Sequence, residues 1–506
     1  MTESKAVKAL EEKIDIFLQE YVSNSRYTPK KPKDRKIIHD SLWGTIVVQP
    51  WEIEIIDLPL IQRLRQIRQT SLTNYVFPGC THSRFEHTLG VLLQTQKLID
   101  AINSQRIKKP FSIDDISDLR LAAIFHDCGH GPFSHISENI YENCSDMAKV
   151  INEKDGEFQN YHPHEVFSSL ILRSKRVQNY IKSLNKRYHI RLNPKRASKW
   201  IVGDKFSRDS NNLYYGQVIN GPFDADKLDY IFRDAHYSGL PLALDLHRLW
   251  ASCKIDTRNR DKIITLHQSS ATPLEQIIFN KINLFTVVYQ HPKVRAAECM
   301  FQGVIEYIHE NNHAIRNKTL KKAVDFLWVT DDIFFSEALR QPKNSLVHMM
   351  IHDILYRRHF VRALTICKDT IKVRSQGTEY EHLRLLNQIG YAAFKERRKL
   401  AKKIWERAGK PFTYHHIWLD LPSDPPIGEA NRTFVQTSSG KPRKLSDLFP
   451  IGYWAEFYKN YKWRGHVFCP SDCQQEVYEA SKDVFNECFG LEFKRSAGES
   501  SHVPHP

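Results

Sequence analysis

The feature that most constrains this chain is a run of small and apolar residues ending in two polar ones. It reads Leu121-Ala-Ala-Ile-Phe-His-Asp-Cys-Gly-His-Gly-Pro-Phe-Ser-His135. Gly129 and Gly131-Pro132 break the run. The pattern predicts a buried helix that delivers His126 and Asp127 at its end, with His130 and His135 in the turn that follows. A buried, ionised Asp beside a His is costly unless something positive pairs with it. A divalent metal is the economical partner, and it needs further ligands from elsewhere in the chain.

A chain of 506 residues can bury a large core, and two or three domains are expected. No apolar run reaches the roughly 18 residues a membrane span needs, so no membrane partner is expected. Met1-Thr-Glu-Ser-Lys5 lacks a basic-then-apolar signal pattern. Nine cysteines are scattered with no zinc quartet; Cys469 and Cys473 are close but have no second pair. Reduced thiols point to a cytoplasmic protein, or a nuclear one in a eukaryote. Lys30-Lys-Pro-Lys-Asp-Arg-Lys36 reads as a nuclear address or as a flexible basic arm. The formal charge of +15 favours polyanionic partners, among them nucleotides and, as a secondary property, single-stranded nucleic acid.

Taken in order, residues 1–35 read as an amphipathic helix over 5–22 and a polar linker with Pro29 and Pro32. Residues 36–48 read as strand-turn-strand around Gly44. Helical patterns dominate from Pro50, so 36–345 is expected to be the main helical domain and 346–410 a helical extension. Residues 411–495 are expected to form a smaller α+β lobe, with strands and turns over 413–450 and helix over 451–490. Residues 496–506 read as a disordered tail. The expected fold class is mainly α with a smaller α+β C-terminal lobe.

Three further stretches carry chemistry. Val76-Phe-Pro-Gly-Cys-Thr-His-Ser-Arg-Phe-Glu-His-Thr-Leu-Gly90 puts His82, Arg84, Glu86 and His87 at a predicted helix start. Tyr161-His-Pro-His-Glu-Val166 adds His164 and Glu165. Gly221-Pro-Phe-Asp-Ala-Asp-Lys-Leu-Asp-Tyr-Ile-Phe-Arg-Asp-Ala-His236 sets Asp226 and Asp229 one helical turn apart, with Asp234 further on. Two imidazoles and two carboxylates, His87, His126, Asp127 and Asp226, suit a divalent transition metal or a mixed site with Mg²⁺. They leave positions open for water and a phosphate oxygen. Arg84, His130, His164 and Lys227 are placed to neutralise phosphate charge. Each piece also has a plain structural reading. Asp226 at a helix start would favour the helix dipole, and Arg84 would pair with a carboxylate. The agreement of order and spacing in all four stretches favours the site.

These words resemble the HD-domain phosphohydrolases, whose pattern is H…HD…D. Phe77-Pro-Gly79, His82-x-Arg-Phe-Glu-His-Thr-Leu-Gly90, His126-Asp-x-Gly-His-Gly-Pro-Phe-Ser-His135, His164-Glu165 and Asp224-x-Asp-Lys-x-Asp-Tyr-x-x-Arg-Asp234 resemble the deoxynucleoside triphosphate triphosphohydrolases. The likeness is to the branch containing the sterile-alpha-motif and HD-domain protein and its bacterial relatives. It runs from about Lys36 to about Phe493, and residues 1–35 are too short for a sterile-alpha-motif domain. The resemblance implies metal ligands His87, His126, Asp127 and Asp226, and a cofactor of manganese, magnesium, iron or a mixed pair, with zinc a poorer match. It puts Arg84, His130, His164 and Lys227 on the triphosphate, with Lys281 where relatives often place an arginine. His135 is implied as general acid and Glu138 as the group that orients it. Gln69 and Asp234 fall at the sugar 3′-hydroxyl, Tyr230 and Tyr289 at a pocket with no room for a 2′-hydroxyl. The implied reaction is attack by a metal-activated hydroxide on the α-phosphorus, releasing deoxynucleoside and inorganic triphosphate.

The same resemblance implies a homo-oligomer, dimer or tetramer, assembled around nucleotides. Lys36, Asp57, Gln62 and Arg65 match an activator pocket, with Arg358 and Arg362 on its far side. One departure stands out: relatives carry Asp-Pro-x-His-Gly where this chain has Asp40-Ser-Leu-Trp-Gly44. Two other functions compete. One is an HD-type phosphodiesterase or nuclease on nucleic acid, which the sugar-pocket positions argue against. The other is a nucleic-acid-binding scaffold, which the intact His87, His126, Asp127 and Asp226 argue against.

Overall fold

Capping residues lay out the helices that matter for the site. The computed structural model describes residues 4–22, 31–105, 109–203, 211–242, 244–258, 260–372, 394–409, 412–422, 428–437, 442–449, 451–457 and 461–499. Ser83 begins the helix Arg84–Ser104 with a capping box, its backbone N–H donating to Glu86 Oε2 at 2.6 Å. Ser112 and Asp115 do the same for Ile113–Phe125, the helix that ends at His126. Pro163 occupies the first turn of Pro163–Arg173, where no backbone N–H is needed. Asp224 caps Ala225–Ser238, which closes on Gly239 at φ +72°. Residues Leu121–Phe125 are fully buried, so the Ile113–Phe125 helix is enclosed along the stretch leading into the His-Asp pair.

Two compact units are formed. The first comprises Met1–Leu284, Ala314–Phe335 and Gly428–Phe449; the second comprises Phe285–His313, Ser336–Ile427 and Pro450–Pro506. The first unit holds the amphipathic helix Lys5–Tyr21, buried through Val7, Leu10, Ile14, Phe17 and Leu18. It also holds the antiparallel hairpin Lys36–Asp40 and Gly44–Val48, in register Asp40↔Gly44. The second unit is built on the antiparallel strands Val361–Ile366, Gly465–Cys469 and Trp418–Asp420, with Gly465–Cys469 central and wholly buried. Helices Phe394–Ala408 and Gln474–Phe489 pack on that sheet.

The fold class is mainly α with small sheets, as the sequence implies, but four stretches differ from the reading above; one is 451–490, read as helix, which contains the wholly buried strand Gly465–Cys469. The region in which helical patterns are expected to dominate, up to 345, contains the strands Cys253–Arg258 and Asp261–His267. They are joined by Phe434–Gln436 in parallel with the second and by Pro442–Lys444 in a four-stranded sheet. Each strand of this sheet gains order from the neighbour it pairs with, and single-segment periodicity does not register that. The extension read as helical over 346–410 contains the strand Val361–Ile366, whose apolar run fits a buried strand as well as a helix. The stretch read as a disordered tail begins with a short helix, Ser496–Glu499; residues 500–506 lie outside the described residues. The linker read over 23–35 lies mostly outside them as well. Among the described residues no helix is long and apolar enough to cross a membrane.

Candidate active site

Three segments of the first unit converge on one point. His87 comes from the first turn of Arg84–Ser104, His126 and Asp127 from the end of Ile113–Phe125, and Asp226 from the first turn of Ala225–Ser238. His87 Nε2 lies 2.9 Å from Asp226 Oδ1, 3.6 Å from Asp127 Oδ2 and 3.3 Å from His126 Nε2. His126 Nε2 lies 3.5 Å from Asp127 Oδ1 and 3.9 Å from Asp226 Oδ1. His126 Nδ1 donates to the Ala123 carbonyl at 2.7 Å, which leaves its Nε2 lone pair aimed at the cluster. A lone pair and two carboxylates facing one point form a cation site. Two N and two O donors fit a divalent metal; among the described residues His87, His126 and Asp127 lie close enough together to share one ion, and so do His130, His135, Glu138 and His164.

The electrostatics agree with that assignment. Against the burial that would lower it, Asp226 and Asp229 raise the His87 imidazole to about 10, so without an ion it carries a proton that a bound metal would displace. Burial lowers His126 and keeps it neutral, the form that ligates. Against burial, Arg84 and the neighbouring histidines hold Asp127 well below the carboxylate range. Arg84 Nη1 bonds Asp127 Oδ2 at 2.5 Å. Asp226 is likewise held low, against burial, by the His87 hydrogen bond.

Beside this cluster is a row of imidazoles organised by one carboxylate. Glu138 Oε2 accepts from His135 Nδ1 at 2.7 Å, and Oε1 accepts from His164 Nδ1 at 2.6 Å. His164 stacks on His130 at 4.1 Å between ring centroids. Against burial, the Glu138 charge raises His164 to about 9, so it is an imidazolium at neutral pH. Burial and the Arg84 and His164 charges keep His130 neutral. The His135 side chain is 67% exposed, with its free Nε2 open to whatever binds. The turn bearing it is strained: Phe133 and Ser134 both have φ of +54°. Asp331 accepts from the Phe133 and Arg68 N–H groups at 2.6 and 3.0 Å. Ser134 Oγ accepts from Arg84 Nε at 2.8 Å and donates to the Arg68 carbonyl. Gly129 lets the turn lie against Pro163–Arg173; a Cβ there would come within 2.3 Å of the His164 carbonyl oxygen.

The remaining expected residues fall as follows. Lys227 Nζ bonds Asp224 Oδ2 at 2.6 Å, and Lys281 pairs with Glu429. Tyr230 is half-buried on the Asp226 helix. Asp234 bonds His82 Nε2 at 2.8 Å. Gln69 Oε1, Arg84 Nη2 and His130 Nδ1 are buried without a protein hydrogen-bond partner, which leaves them open to a ligand or an ordered water. Tyr289 is counted with the second unit, as are Arg358 and Arg362. Gln62 accepts from Arg65 Nε at 2.8 Å, and Arg65 lies over the Phe85 ring. Asp57 ends the helix Pro50–Ile56, and Lys36 is exposed on the hairpin.

Sequence reasoning left Asp229, Arg233, Asp331 and Glu429 without a role. The Asp229-x-x-x-Arg233 spacing, one helical turn, was the available signal for the first two. The other two come from distant segments, and no local spacing announces them.

Comparison with known proteins points to the same site. The HD domain model matches residues 84–230, and the HD associated region model matches residues 244–492. The chain belongs to the HD-domain family of metal-dependent phosphohydrolases. It is 29% identical over 462 residues to an uncharacterised protein of Methanocaldococcus jannaschii, covering 89% of this chain and 83% of that one. It is 27% identical over 365 residues to the deoxynucleoside triphosphate triphosphohydrolase SAMHD1 of Bos taurus, covering 69% of this chain and 61% of that protein. The human counterpart is 26% identical over 375 residues, covering 69% of this chain and 58% of that protein.

Proposed function

We propose that this chain hydrolyses deoxynucleoside triphosphates to deoxynucleoside and inorganic triphosphate. The observation carrying this reading is the adjacency of two sets: a cation site in which His87, His126 and Asp127 have ligand spacing, and an imidazole row with unpartnered buried polar groups beside it. His87, His126, Asp127 and Asp226 would hold a divalent ion, which supplies Lewis-acid polarisation and lowers the pKa of a water.

The chain's own groups supply the rest. Arg84, Lys227, Lys281 and the His164 imidazolium neutralise triphosphate charge. Glu138 fixes both His135 and His164 through their Nδ1 atoms, leaving both Nε2 atoms for the substrate. In its imidazolium form, which burial disfavours and the Glu138 carboxylate supports, His135 donates the Nε2 proton to the departing 5′ oxygen and keeps Nδ1–H on Glu138. Gln69 and Asp234 bind the 3′-hydroxyl, and Tyr230 closes the space a 2′-hydroxyl would need. Lys36, Asp57, Gln62 and Arg65 bind a nucleotide that drives assembly into dimers or tetramers.

The test is incubation with each deoxynucleoside triphosphate and Mn²⁺ or Mg²⁺, with separation of products. Inorganic triphosphate is expected, and none from Asp127→Ala. Orthophosphate or pyrophosphate as the only product would refute the reaction, and equal turnover by Asp127→Ala would refute the metal site. Sizing with and without guanosine triphosphate tests assembly; an unchanged size removes the activator pocket and leaves the active site standing.

A further inference from the structure

The departure at Asp40-Ser-Leu-Trp-Gly44 acquires a physical meaning in the folded chain. The hairpin Lys36–Val48 ends against the helix Ala225–Ser238. Asp40 Oδ1 accepts from the backbone N–H groups of Leu42 and Trp43, at 3.0 and 2.8 Å, and so closes the hairpin turn. Its other oxygen, Oδ2, accepts from Arg233 Nη1 at 2.9 Å. Trp43 Nε1 donates to Asp229 Oδ1 at 2.5 Å, and its ring packs near Phe232. Arg233 Nε and Nη2 donate to the two Asp229 oxygens at 2.8 and 3.0 Å. Asp229 Oδ2 in turn accepts from His87 Nδ1 at 2.8 Å. Asp229, Arg233 and His87 are all fully buried.

This is a carboxylate–histidine arrangement behind a metal ligand. The hydrogen bond at Nδ1 sets which ring nitrogen faces the ion and how the ring is turned. Here the carboxylate is held from both sides, by Arg233 on its own helix and by Trp43 from the hairpin. The helix Arg84–Ser104 makes room for it: a Cβ at Gly90 would lie 1.8 Å from Asp229 Oδ1 and 2.6 Å from Arg233 Nη2. Ser41 Oγ and Tyr237 Oη, 2.8 Å apart, add a second tie between hairpin and helix.

We propose that Trp43 is a positioning residue for the metal centre: its indole N–H fixes Asp229, and Asp229 fixes the ring of His87. The hairpin tip thereby helps to set metal affinity from outside the ligand set. This rests on the metal reading of His87 and not on the identity of the substrate.

The test measures Mn²⁺ binding to the full chain from the electron paramagnetic resonance signal of the free ion, with no turnover involved. Trp43→Phe keeps a ring against Phe232 and removes the N–H. Removing a direct partner of a ligand costs about 10- to 100-fold in affinity. Trp43 stands one bond further out, so the low end, about tenfold weaker binding, is expected. Trp43→His fills less space but restores a ring N–H donor, and binding should return toward that of the natural chain. A purely structural role predicts the reverse order, because histidine packs less surface than phenylalanine. Equal affinity for Trp43→Phe and the natural chain, or weaker binding by Trp43→His than by Trp43→Phe, overturns the proposal. A natural chain that binds no Mn²⁺ overturns it together with the metal reading.

Discussion

The strained turn before His135 offers the sharpest test, through Asp331→Asn. Asp331 is 1% exposed, and its two oxygens each take one backbone N–H, from Phe133 at 2.6 Å and Arg68 at 3.0 Å. Phe133 and Ser134 both sit at φ +54°, and a left-handed non-glycine residue costs about 1–2 kcal/mol. The turn therefore holds about 2–4 kcal/mol of strain that its anchors must offset. Asparagine offers one acceptor oxygen and one NH₂, so one buried N–H loses its partner and faces a donor. That costs about 1–3 kcal/mol, comparable to the strain. Burial pushes the Asp331 carboxyl up to about 7, so comparison at pH 8 keeps the natural side chain ionised. Urea unfolding should show about 2 kcal/mol less stability. Relaxation of the turn shifts His135, and a displacement near 1 Å lowers kcat about 100-fold. Mn²⁺ affinity should stay within about twofold, because Asp331 touches none of the four ligands. Unchanged kcat would refute the reasoning, and so would parallel loss of kcat and Mn²⁺ binding, which signals general collapse.

Three further outcomes follow from the same geometry. In Glu138→Gln the charge that raises His164 to about 9 is gone, so the imidazolium is lost at lower pH. The alkaline limb of the kcat/KM profile should move to more acid pH, and an unmoved limb would remove His164 from charge stabilisation. Glu429 occupies Lys281, a cation assigned to the triphosphate, and both are largely buried. Glu429→Gln should lower KM with kcat little changed; a raised KM would show that Glu429 instead holds Lys281 in place. In the second unit, burial raises Glu306 to about 8 despite Arg398 at 3.5 Å. The folded state then holds a proton that the unfolded state has lost above about 4.3, so stability falls as pH rises from there toward 8, by at most about 1.4 kcal/mol per unit. Urea midpoints at pH 5, 7 and 9 should show a shallower fall for Glu306→Gln, and parallel curves would sink this assignment.

What the sequence made legible follows physical lines. His87, His126, Asp127 and Asp226 stood out because each lies at a helix end marked by its own punctuation: Ser83 and Glu86, Gly129, and Asp224. Helix ends are where local sequence speaks most clearly. The groups that orient these residues were harder to see, because each reaches across the chain. Trp43 meets Asp229 across 186 positions, and Asp331 meets Phe133 across 198. Nothing in the neighbourhood of Trp43 marks it as a hydrogen-bond donor to a buried carboxylate; the surrounding words mark only a hairpin. The second unit was hard to read for a related reason. The strand Gly465–Cys469 is buried on both faces between Val361–Ile366 and Trp418–Asp420, so it lacks the alternation by which a half-buried strand is recognised. In the first unit, Phe434–Gln436 is ordered by pairing with Asp261–His267, a strand encoded far upstream. The ligands are thus local signals at helix ends, while the machinery that aims them exists only once distant segments have met. For that reason the tests that probe Trp43, Asp331 and Glu429 examine the fold's contribution to the chemistry, and those at Asp127 and Glu138 examine the motif's.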